Sequence, residues 1–274
     1  MKFYISNQEV ESIFHKYQHE HPPNLQRSRL PQEPSPLLPQ GLQHRIRDSH
    51  YLSKLKSARI TDEADLGVIA ELVKPGDTTM DIGANFGLFT RFLSEQVGPE
   101  GQVYSFEPTE AMSRVLNHNV DSLKLENVVT SSFALSDKVG EAKISVPLHR
   151  NNSPNYYEAS LCEVTGAEVG EVDTIQTTTL DAFCEASDIK ELSFIKCDVE
   201  GHEIAVLNGA RLTLEKFRPT ILLEVNEPLD EEGHGRDVRD LITYLGYEIH
   251  LFENGVIRKR EEGEFFVNYV LIPG

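Results

Sequence analysis

The sequence contains no tryptophan, only three cysteines, and fewer basic than acidic residues, with 26 Lys and Arg against 44 Asp and Glu. Without tryptophan, no Trp platform is available for stacking a sugar. The formal net charge of −18 argues against a polyanionic partner, because neutralising phosphates requires clustered Lys and Arg. No apolar run approaches the length that spans a bilayer. We therefore expect a protein that binds neither nucleic acid nor membrane.

The three cysteines, Cys162, Cys184 and Cys197, lack the spacing of a metal-binding or redox motif. The first residues contain no long apolar region and no small-residue cleavage site, so no secretory signal is evident. An odd number of cysteines without an export signal predicts reduced thiols and a cytoplasmic location. We expect Cys197 to be a small buried hydrophobe, because no activating base is evident beside it.

Proline divides the chain unevenly. Residues 1–57 show no convincing periodic apolar pattern, and six prolines between positions 22 and 39 lie among Gln, Ser and Arg. Such a segment cannot hold regular helix and has little apolar surface to bury. We therefore interpret residues 1–57 as a proline-rich linker or surface-wrapping arm. A functional role for such an arm would be that of a lid or a homodimer contact, and the sequence leaves these alternatives open. Residues 58–274 have the patterns of one globular domain.

One stretch, D-I-G-A-N-F-G at residues 81–87, organises that domain. An apolar segment precedes it and an amphipathic segment, residues 88–97, follows, which predicts a buried strand, a tight glycine turn and a helix. Gly83 and Gly87 permit positive φ and let a ligand approach bare backbone. Since the turn follows a strand, it should lie at the carboxyl ends of the sheet strands, where open α/β sheets bind ligands.

The spacing of this turn does not fit a dinucleotide fingerprint. Gly83 fits the first position of G-x-G-x-x-G, but Asn85 and Leu88 occupy the other two, and the phosphate-loop pattern is also absent. A nucleoside-sized pocket without a phosphate cradle remains. Glu107 closes the next apolar strand at a position suited to hydrogen bonds with both ribose hydroxyls. A glycine turn followed by this strand-end acid favours S-adenosylmethionine over a nicotinamide cofactor.

Strands alternate with helices along the chain, which predicts an α/β fold with a parallel sheet. The last two strands, about residues 247–252 and 265–272, should close it as an antiparallel pair. Polar side chains follow the strands that end at Cys197 and Leu223. If these strands are neighbours, the following groups meet near the cofactor: Asp198, Glu200, His202, Glu224 and Asn226.

Residues 149–173 form a long polar stretch that we interpret as a functional loop. Tyr156 and Tyr157 near its middle suit a hydroxylated acceptor, because each ring combines an apolar face with a hydrogen-bonding tip. A loop of this kind is also able to close over the site and exclude water.

Five motifs resemble FkbM-type methyltransferases: D-I-G-A-N-F-G at 81–87, F-E-P at 106–108, A-L-S-D at 134–137, I-K-C-D-V-E-G-H-E at 195–203 and N-G-A at 208–210. The L-L-E strand end at 222–224 continues the set, so the resemblance covers about residues 60–230. It implies a class I (Rossmann-like), S-adenosylmethionine-dependent methyltransferase fold with a mostly parallel sheet of seven strands. It also implies O-methylation of a sugar, polyketide or other natural product, whereas the acceptor varies within such a family.

We expect the cofactor to be bound through the glycine turn and the ends of the neighbouring strands. Asp81 and Gly83 are assigned to its methionine part, Glu107 to the ribose, and Phe106 or Ala134 to the adenine surroundings. The full set of expected cofactor-binding residues is Asp81, Gly83, Asn85, Gly87, Phe106, Glu107, Ala134 and Asp198.

For catalysis, His202 is the expected base because it titrates near neutrality, with Asp198 and Glu200 beside it. Alternatively, Asp198, Glu224 and Asn226 offer oxygen ligands that suit Mg²⁺. N-methylation of a small molecule and S-adenosylmethionine binding without catalysis remain alternative functions. The acid cluster favours an enzyme over a pure binding protein.

Overall fold

The structure, a computed structural model, describes residues 39–148, 154–161 and 170–274. In chain order, its strands are β1 (Thr78–Ile82), β2 (Gln102–Phe106), β3 (Val128–Ser131), β4 (Ala134–Leu135), β5 (Gly140–Pro147), β6 (Ser160–Leu161), β7 (Gly170–Thr178), β8 (Phe194–Cys197), β9 (Thr220–Glu224), β10 (Tyr247–Glu253), β11 (Val256–Lys259) and β12 (Asn268–Pro273). Its helices are α1 (Gln40–Ser57), α2 (Leu66–Leu72), α3 (Leu88–Val97), α4 (Glu110–Leu123), α5 (Leu180–Ala186), α6 (Glu203–Asn208), α7 (Arg211–Phe217) and α8 (His234–Tyr244). None of these helices is both long and apolar enough to cross a membrane.

Eight strands form the main sheet in the order β11–β10–β12–β9–β8–β1–β2–β3. Five of them, from β3 to β9 in this order, are parallel neighbours. Strand β12 runs antiparallel to both β9 and β10, so β10 and β12 are the closing antiparallel pair that the sequence predicts. The class I methyltransferase arrangement is therefore confirmed, and β11 adds an edge strand beyond the seven expected.

The two faces of the main sheet bury different side chains, because successive residues of a strand point to opposite sides. Met80 and Ile82 of β1 face the larger core, which helices α5 to α8 cover. The opposite face packs against α2 and α3. It includes Val103, Phe194 and Leu222 from the sheet and Leu66, Ile69, Leu93 and Val97 from the helices.

A second sheet of four strands, in the order β4–β7–β5–β6, corrects the prediction of a loop over residues 149–173. Within the described part of that stretch, residues 156–158 form a 3₁₀ turn, Ser160 and Leu161 pair with β5, and β7 begins at Gly170. The polar sequence masked these strands because one face of the sheet is exposed, so few of its residues are apolar. Residues 149–153 and 162–169 lie outside the described residues.

The prediction that residues 1–57 hold no regular helix is wrong for α1, which spans Gln40–Ser57. The last proline of the cluster is Pro39, immediately before the helix, where proline does not interrupt helical hydrogen bonds. Only Tyr51 and Leu55 of α1 are buried, one turn apart on the same face, so the apolar stripe is too narrow to show in the sequence. Residues 1–38 lie outside the described residues, and the boundary at residue 58 stays a prediction.

Helices α6 and α7 are separated at Gly209. A Cβ atom there would lie 2.0 Å from the carbonyl oxygen of Ser136, so only glycine permits this close approach of two backbone segments. The chain consequently forms two short helices, α6 and α7, around this contact. This packing holds Ser136 next to the loop that carries His202.

Candidate active site

A cavity of about 250 Å³ opens at the carboxyl ends of β1, β2, β8 and β9. The main sheet contributes the glycine turn, Glu107 and the loop after β8 to its wall. The second sheet covers it with Ala134, Ile144 and Leu161, and the 3₁₀ turn adds Tyr156 and Tyr157. The cavity therefore lies where the sequence predicts it, and the supposed loop region forms part of its wall.

The glycine turn is shaped by close backbone packing. Gly83 has φ +79°, and a Cβ atom there would lie 1.8 Å from the carbonyl oxygen of Asp198. Gly87 has φ +93° and sits against the Leu116 side chain, where a Cβ atom would come within 2.8 Å. Gly83 lines the cavity, whereas Gly87 does not. Glycine at these two positions thus serves the packing of the turn against the neighbouring elements.

Asn85 adopts the left-handed conformation, with φ +50°, which Asn tolerates better than most residues. Its backbone N–H donates to Glu107 Oε2 at 2.9 Å, and its side-chain Nδ2 donates to the carbonyl of Tyr156 at 3.2 Å. Asn85 lines the cavity and joins the glycine turn both to the strand-end acid and to the 3₁₀ turn.

Glu107 is 6% exposed and lines the cavity. Its Oε1 accepts from the backbone N–H of Thr109 at 3.0 Å and from the Thr109 hydroxyl at 2.5 Å, while Oε2 accepts from Asn85. Burial raises the pKa of Glu107 above its usual value, and these hydrogen bonds oppose the rise. Since a carboxylate has about four acceptor positions, one position on Oε2 remains for a ligand hydroxyl. This is one position fewer than binding both ribose hydroxyls requires.

Asp81 lies beside the cavity rather than on its wall. It is completely buried, and its Oδ2 accepts from the Thr90 hydroxyl at 2.6 Å. Burial raises its pKa, which the charge of Lys196 and the Thr90 hydrogen bond oppose. In the sheet register Asp81 is the direct neighbour of Lys196 on β8. The structure therefore gives Asp81 contacts with α3 and with the neighbouring strand β8. Its expected contact with the methionine part of the cofactor stays a prediction.

Lys196 is a central site residue that the sequence analysis did not identify. Its side chain is buried and lines the cavity. Its Nζ lies 3.1 Å from Asp198 Oδ2, 3.3 Å from the carbonyl of Gly83 and 3.9 Å from Asp81 Oδ1. Burial alone would lower the pKa of Lys196. The pKa is raised nevertheless, because the charges of Asp198 and Asp81 stabilise the ammonium. A lysine inside the apolar strand F-I-K-C was the signal available in the sequence.

The loop after β8 brings together three of the predicted residues, Asp198, Glu200 and His202, all of which line the cavity. Glu200 and Gly201 both have positive φ, +47° and +89°, so the loop makes a tight reversal. Glu203 stabilises this conformation: its buried carboxylate accepts from the Gly201 N–H at 2.8 Å and lies 2.6 Å from His234 Nε2.

His202 is half-buried, and its Nε2 lies 2.9 Å from the hydroxyl of Ser136. The single proton of the Ser136 hydroxyl is donated to Asp137 Oδ1 at 3.2 Å. The hydroxyl oxygen therefore accepts a hydrogen bond from His202. This arrangement keeps the proton of a neutral imidazole on Nε2 and leaves Nδ1 as a proton acceptor. Burial lowers the pKa of His202, which favours the neutral form that a base requires.

The carboxylates of Asp198, Glu200 and Glu224 converge, with one oxygen of each within 4.8 Å of the others. Burial, together with the charge of Asp198, raises the pKa of both Glu200 and Glu224 to about 7. Asn226, a predicted metal ligand, is exposed, and its Nδ2 donates to Glu200 and Glu224 at 3.3 and 3.2 Å. The structure therefore adds Glu200 to the predicted ligands Asp198 and Glu224, while Asn226 contacts two of these acids through its amide nitrogen. The metal site stays a prediction.

Phe106 and Ala134, the residues expected near the adenine, both line the cavity but are buried. Phe133 also lines it and is 41% exposed, which makes it the more accessible aromatic side chain of this part of the wall. Phe133 was not predicted from the sequence, which does not show that the chain passes from one sheet to the other at this point. In the structure Phe133 lies between β3 and β4, which belong to different sheets.

Cys197 and Cys184 are buried free thiols, while Cys162 lies outside the described residues. Burial raises the pKa of the Cys197 thiol well above its usual value. A thiol with a raised pKa is a poor nucleophile, which agrees with the prediction of a packing role.

The sheet order, with an antiparallel strand next to five parallel ones and a cavity at their carboxyl ends, defines a class I methyltransferase fold. A profile of the methyltransferase FkbM domain matches residues 81–249, more than half of the chain. The chain therefore belongs to the FkbM methyltransferase family, as its motifs indicated.

Two relatives illustrate the range of this similarity. The 2-O-methyltransferase NoeI of Sinorhizobium fredii is 25% identical over 188 residues, which cover 65% of this chain and 74% of that protein. The hexuronic acid methyltransferase AglP of Haloferax volcanii is 24% identical over 178 residues, covering 64% of this chain and 65% of that protein. A crystal structure of methyltransferase FkbM from Methylobacillus flagellatus KT aligns with a TM-score of 0.43 and 15% identity, covering 83% of this chain and 59% of that one.

Proposed function

We propose that the protein transfers a methyl group from S-adenosylmethionine to a hydroxyl of a sugar or a similar polyhydroxylated small molecule. The observation that carries this proposal is a single cavity that joins the strand-end acid Glu107 to the imidazole of His202. The names of the two relatives support O-methylation, since one is called a 2-O-methyltransferase and the other a hexuronic acid methyltransferase.

The cavity offers hydrogen-bonding groups and charges that suit the proposed cofactor. Glu107 retains one acceptor position for a ribose hydroxyl, and Gly83 of the glycine turn lines the same cavity. When bound, S-adenosylmethionine supplies a methyl group on a positively charged sulfonium. Carboxylates on the cavity wall stabilise a cation, and they include Glu63, Asp65, Glu107, Asp198, Glu200 and Glu224.

His202 is the proposed base for the acceptor hydroxyl. As the acceptor oxygen displaces the methyl carbon from the sulfonium sulfur and S-adenosylhomocysteine leaves, the acceptor's proton would pass to Nδ1 of His202, which the Ser136 contact leaves unprotonated. Asp198, held by Lys196, and Glu200 line the same part of the cavity. They would orient the acceptor by hydrogen bonds to its other hydroxyls.

The charge of the cavity favours a neutral acceptor over an anionic one. Among the described residues of its wall, Lys196 is the one Lys or Arg side chain. Its ammonium already donates hydrogen bonds to Asp198 and to the carbonyl of Gly83. A uronic acid would bring another carboxylate next to several of the same charge, which is unfavourable. We therefore propose a hydroxyl of a neutral sugar.

Magnesium is a further part of the proposal. Asp198, Glu200 and Glu224 would hold Mg²⁺ through carboxylate oxygens, the ligands that this ion prefers. The ion would lower the pKa of an acceptor hydroxyl. A cytoplasmic location and a homodimer also remain predictions.

The first test is calorimetric titration with S-adenosylhomocysteine and NAD, followed by methyl transfer to p-nitrophenyl glucoside, glucuronide and glucosaminide. We expect S-adenosylhomocysteine to bind, NAD not to bind, and the glucoside to gain an O-methyl group at the highest rate. His202→Gln should lower kcat by about 10²- to 10⁴-fold while S-adenosylhomocysteine binding is kept. Transfer to the glucosaminide nitrogen would support N-methylation instead. Cofactor binding without transfer to any glycoside would contradict the proposed substrate class.

A further inference from the structure

Helix α1 holds the aromatic side chains that close the cavity. Lys54 Nζ donates to the hydroxyl of Tyr157 at 2.9 Å and lies 5.3 Å from the centre of its ring. The guanidinium of Arg47, two turns earlier on α1, lies 5.5 Å from the Tyr156 ring. Both tyrosines line the cavity, so cations of α1 fix two residues of its wall.

The same lysine also contacts the glycine turn. Lys54 Nζ lies 4.8 Å from the centre of the Phe86 ring, and Phe86 lines the cavity next to Asn85. Phe86 packs edge-on against Tyr157, with ring centres 6.5 Å apart. It also packs against Tyr51 of α1, where the ring centres are 5.2 Å apart and the planes are tilted by 30°. One ammonium group thus holds Tyr157 and Phe86 in a fixed relation.

Helix α1 is rigid enough to serve as this support. Tyr51 and Leu55 are buried in a cluster with Phe86. Asp48 forms a two-oxygen ion pair with Arg114 of α4, at 2.6 and 2.7 Å. Arg91 of α3 donates to the carbonyl of Leu55 and, at 3.3 Å, to that of Ala58. These contacts attach α1 to two helices that flank the main sheet.

We propose that Lys54 is a positioning residue for the methyl acceptor, because it holds Tyr157 in the wall of the cavity. Helix α1, which lies before the matched family domain, is then part of the acceptor site. This inference rests on the proposed function. A fixed aromatic wall lowers the cost of ordering the site when the acceptor binds, so loss of the contact should weaken acceptor binding. Cofactor binding should be retained, because Lys54 does not contact Glu107 or Gly83.

The test compares Lys54→Met, Tyr157→Phe and the double variant with wild type, using the glycoside that wild type methylates fastest. Lys56→Met is the matched control, because Lys56 is an exposed lysine of the same helix. We expect each single variant to raise the acceptor KM about three- to tenfold, the scale of one exposed hydrogen bond to a charged group. The double variant should equal the single ones, since both remove the same bond. Lys54→Arg should restore the wild-type KM.

Three outcomes would overturn the inference: an unchanged KM, an equal effect of Lys56→Met, or a parallel loss of S-adenosylhomocysteine affinity. The last would indicate damage to the glycine turn through Phe86. Wild type that binds S-adenosylhomocysteine but methylates no glycoside contradicts the proposed function instead. In that case the inference about Lys54 is tested by measuring hydrogen exchange of residues 154–161 in the S-adenosylhomocysteine complex. Lys54→Met should speed exchange there relative to Lys56→Met, and equal rates overturn the inference.

Discussion

Replacing Lys196 by Met should destabilise the protein strongly, because it removes the counter-charge of two carboxylates at once. Asp81 is completely buried and Lys196 is 6% exposed, so water cannot replace the lost ammonium. Removing one partner of a buried ion pair costs about 3–5 kcal/mol. For a protein of this size, that corresponds to a fall in Tm of roughly 6–20 °C.

The pH dependence distinguishes lost charge from lost packing. The folded pKa of Asp81 is already raised by burial, and Lys196 opposes this rise. Without Lys196 the folded pKa rises further above the unfolded value, so the native state binds more protons than the unfolded state between these two values. Stability then falls as pH rises through this interval. The deficit of Lys196→Met should be larger at pH 8 than at pH 5.

The assay is thermal unfolding followed by circular dichroism at both pH values. Adding Asp81→Asn to Lys196→Met should recover part of the loss and reduce its pH dependence, although the new amide nitrogen lacks a partner. Lys190→Met is the control, because the exposed pair of Lys190 and Asp188 should contribute less than about 1 kcal/mol. An equal loss at pH 5 and pH 8, or no recovery in the double variant, would refute the electrostatic explanation.

Three further predictions concern the carboxylates of the cavity. Glu107→Gln should weaken S-adenosylhomocysteine binding by about 1.5–3 kcal/mol, measured by calorimetry, while exposed Glu100→Gln leaves it unchanged. Glu224→Gln should raise Tm at pH 8 by roughly 2–8 °C. The pKa of Glu224 is about 7 in the folded protein and exceeds the unfolded value, so the charged carboxylate destabilises the native state above pH 7. A similar gain at pH 4.5 would contradict this reasoning. If Asp198, Glu200 and Glu224 hold Mg²⁺, EDTA should abolish turnover but spare S-adenosylhomocysteine binding, and full activity after EDTA would exclude the metal.

The sequence predicted the features that depend on local patterns. The strand–turn–helix unit around Gly83 was predicted correctly: the helix α3 spans Leu88–Val97, as expected, whereas β1 continues into the glycine motif as far as Ile82. Glycines with positive φ, an apolar strand and a helical stripe all act over a few residues, so they are visible in a single sequence. The closing antiparallel pair followed from the same kind of pattern.

Features that depend on which segments become neighbours could not be predicted in this way. The pairing of Asp81 with Lys196 requires that β1 and β8 be adjacent and in one register, although more than 100 residues separate them. The narrow buried stripe of α1 and the exposed face of the second sheet gave little periodic signal. Lys54, Lys196 and Phe133 were missed for this reason.

Asn85 shows how the two halves of the site depend on each other. Its backbone N–H holds Glu107 in the part of the cavity proposed for the ribose, and its side chain holds the Tyr156 carbonyl in the wall proposed for the acceptor. The next residue, Phe86, contacts both Tyr157 and Lys54. A glycine turn that is typical of cofactor binding therefore also supports the wall proposed for the acceptor. Helix α1, which contacts the same wall, lies outside the region matched by the family profile. If the proposed site is correct, we expect acceptor choice to depend on α1 and cofactor binding to depend on the turn and Glu107.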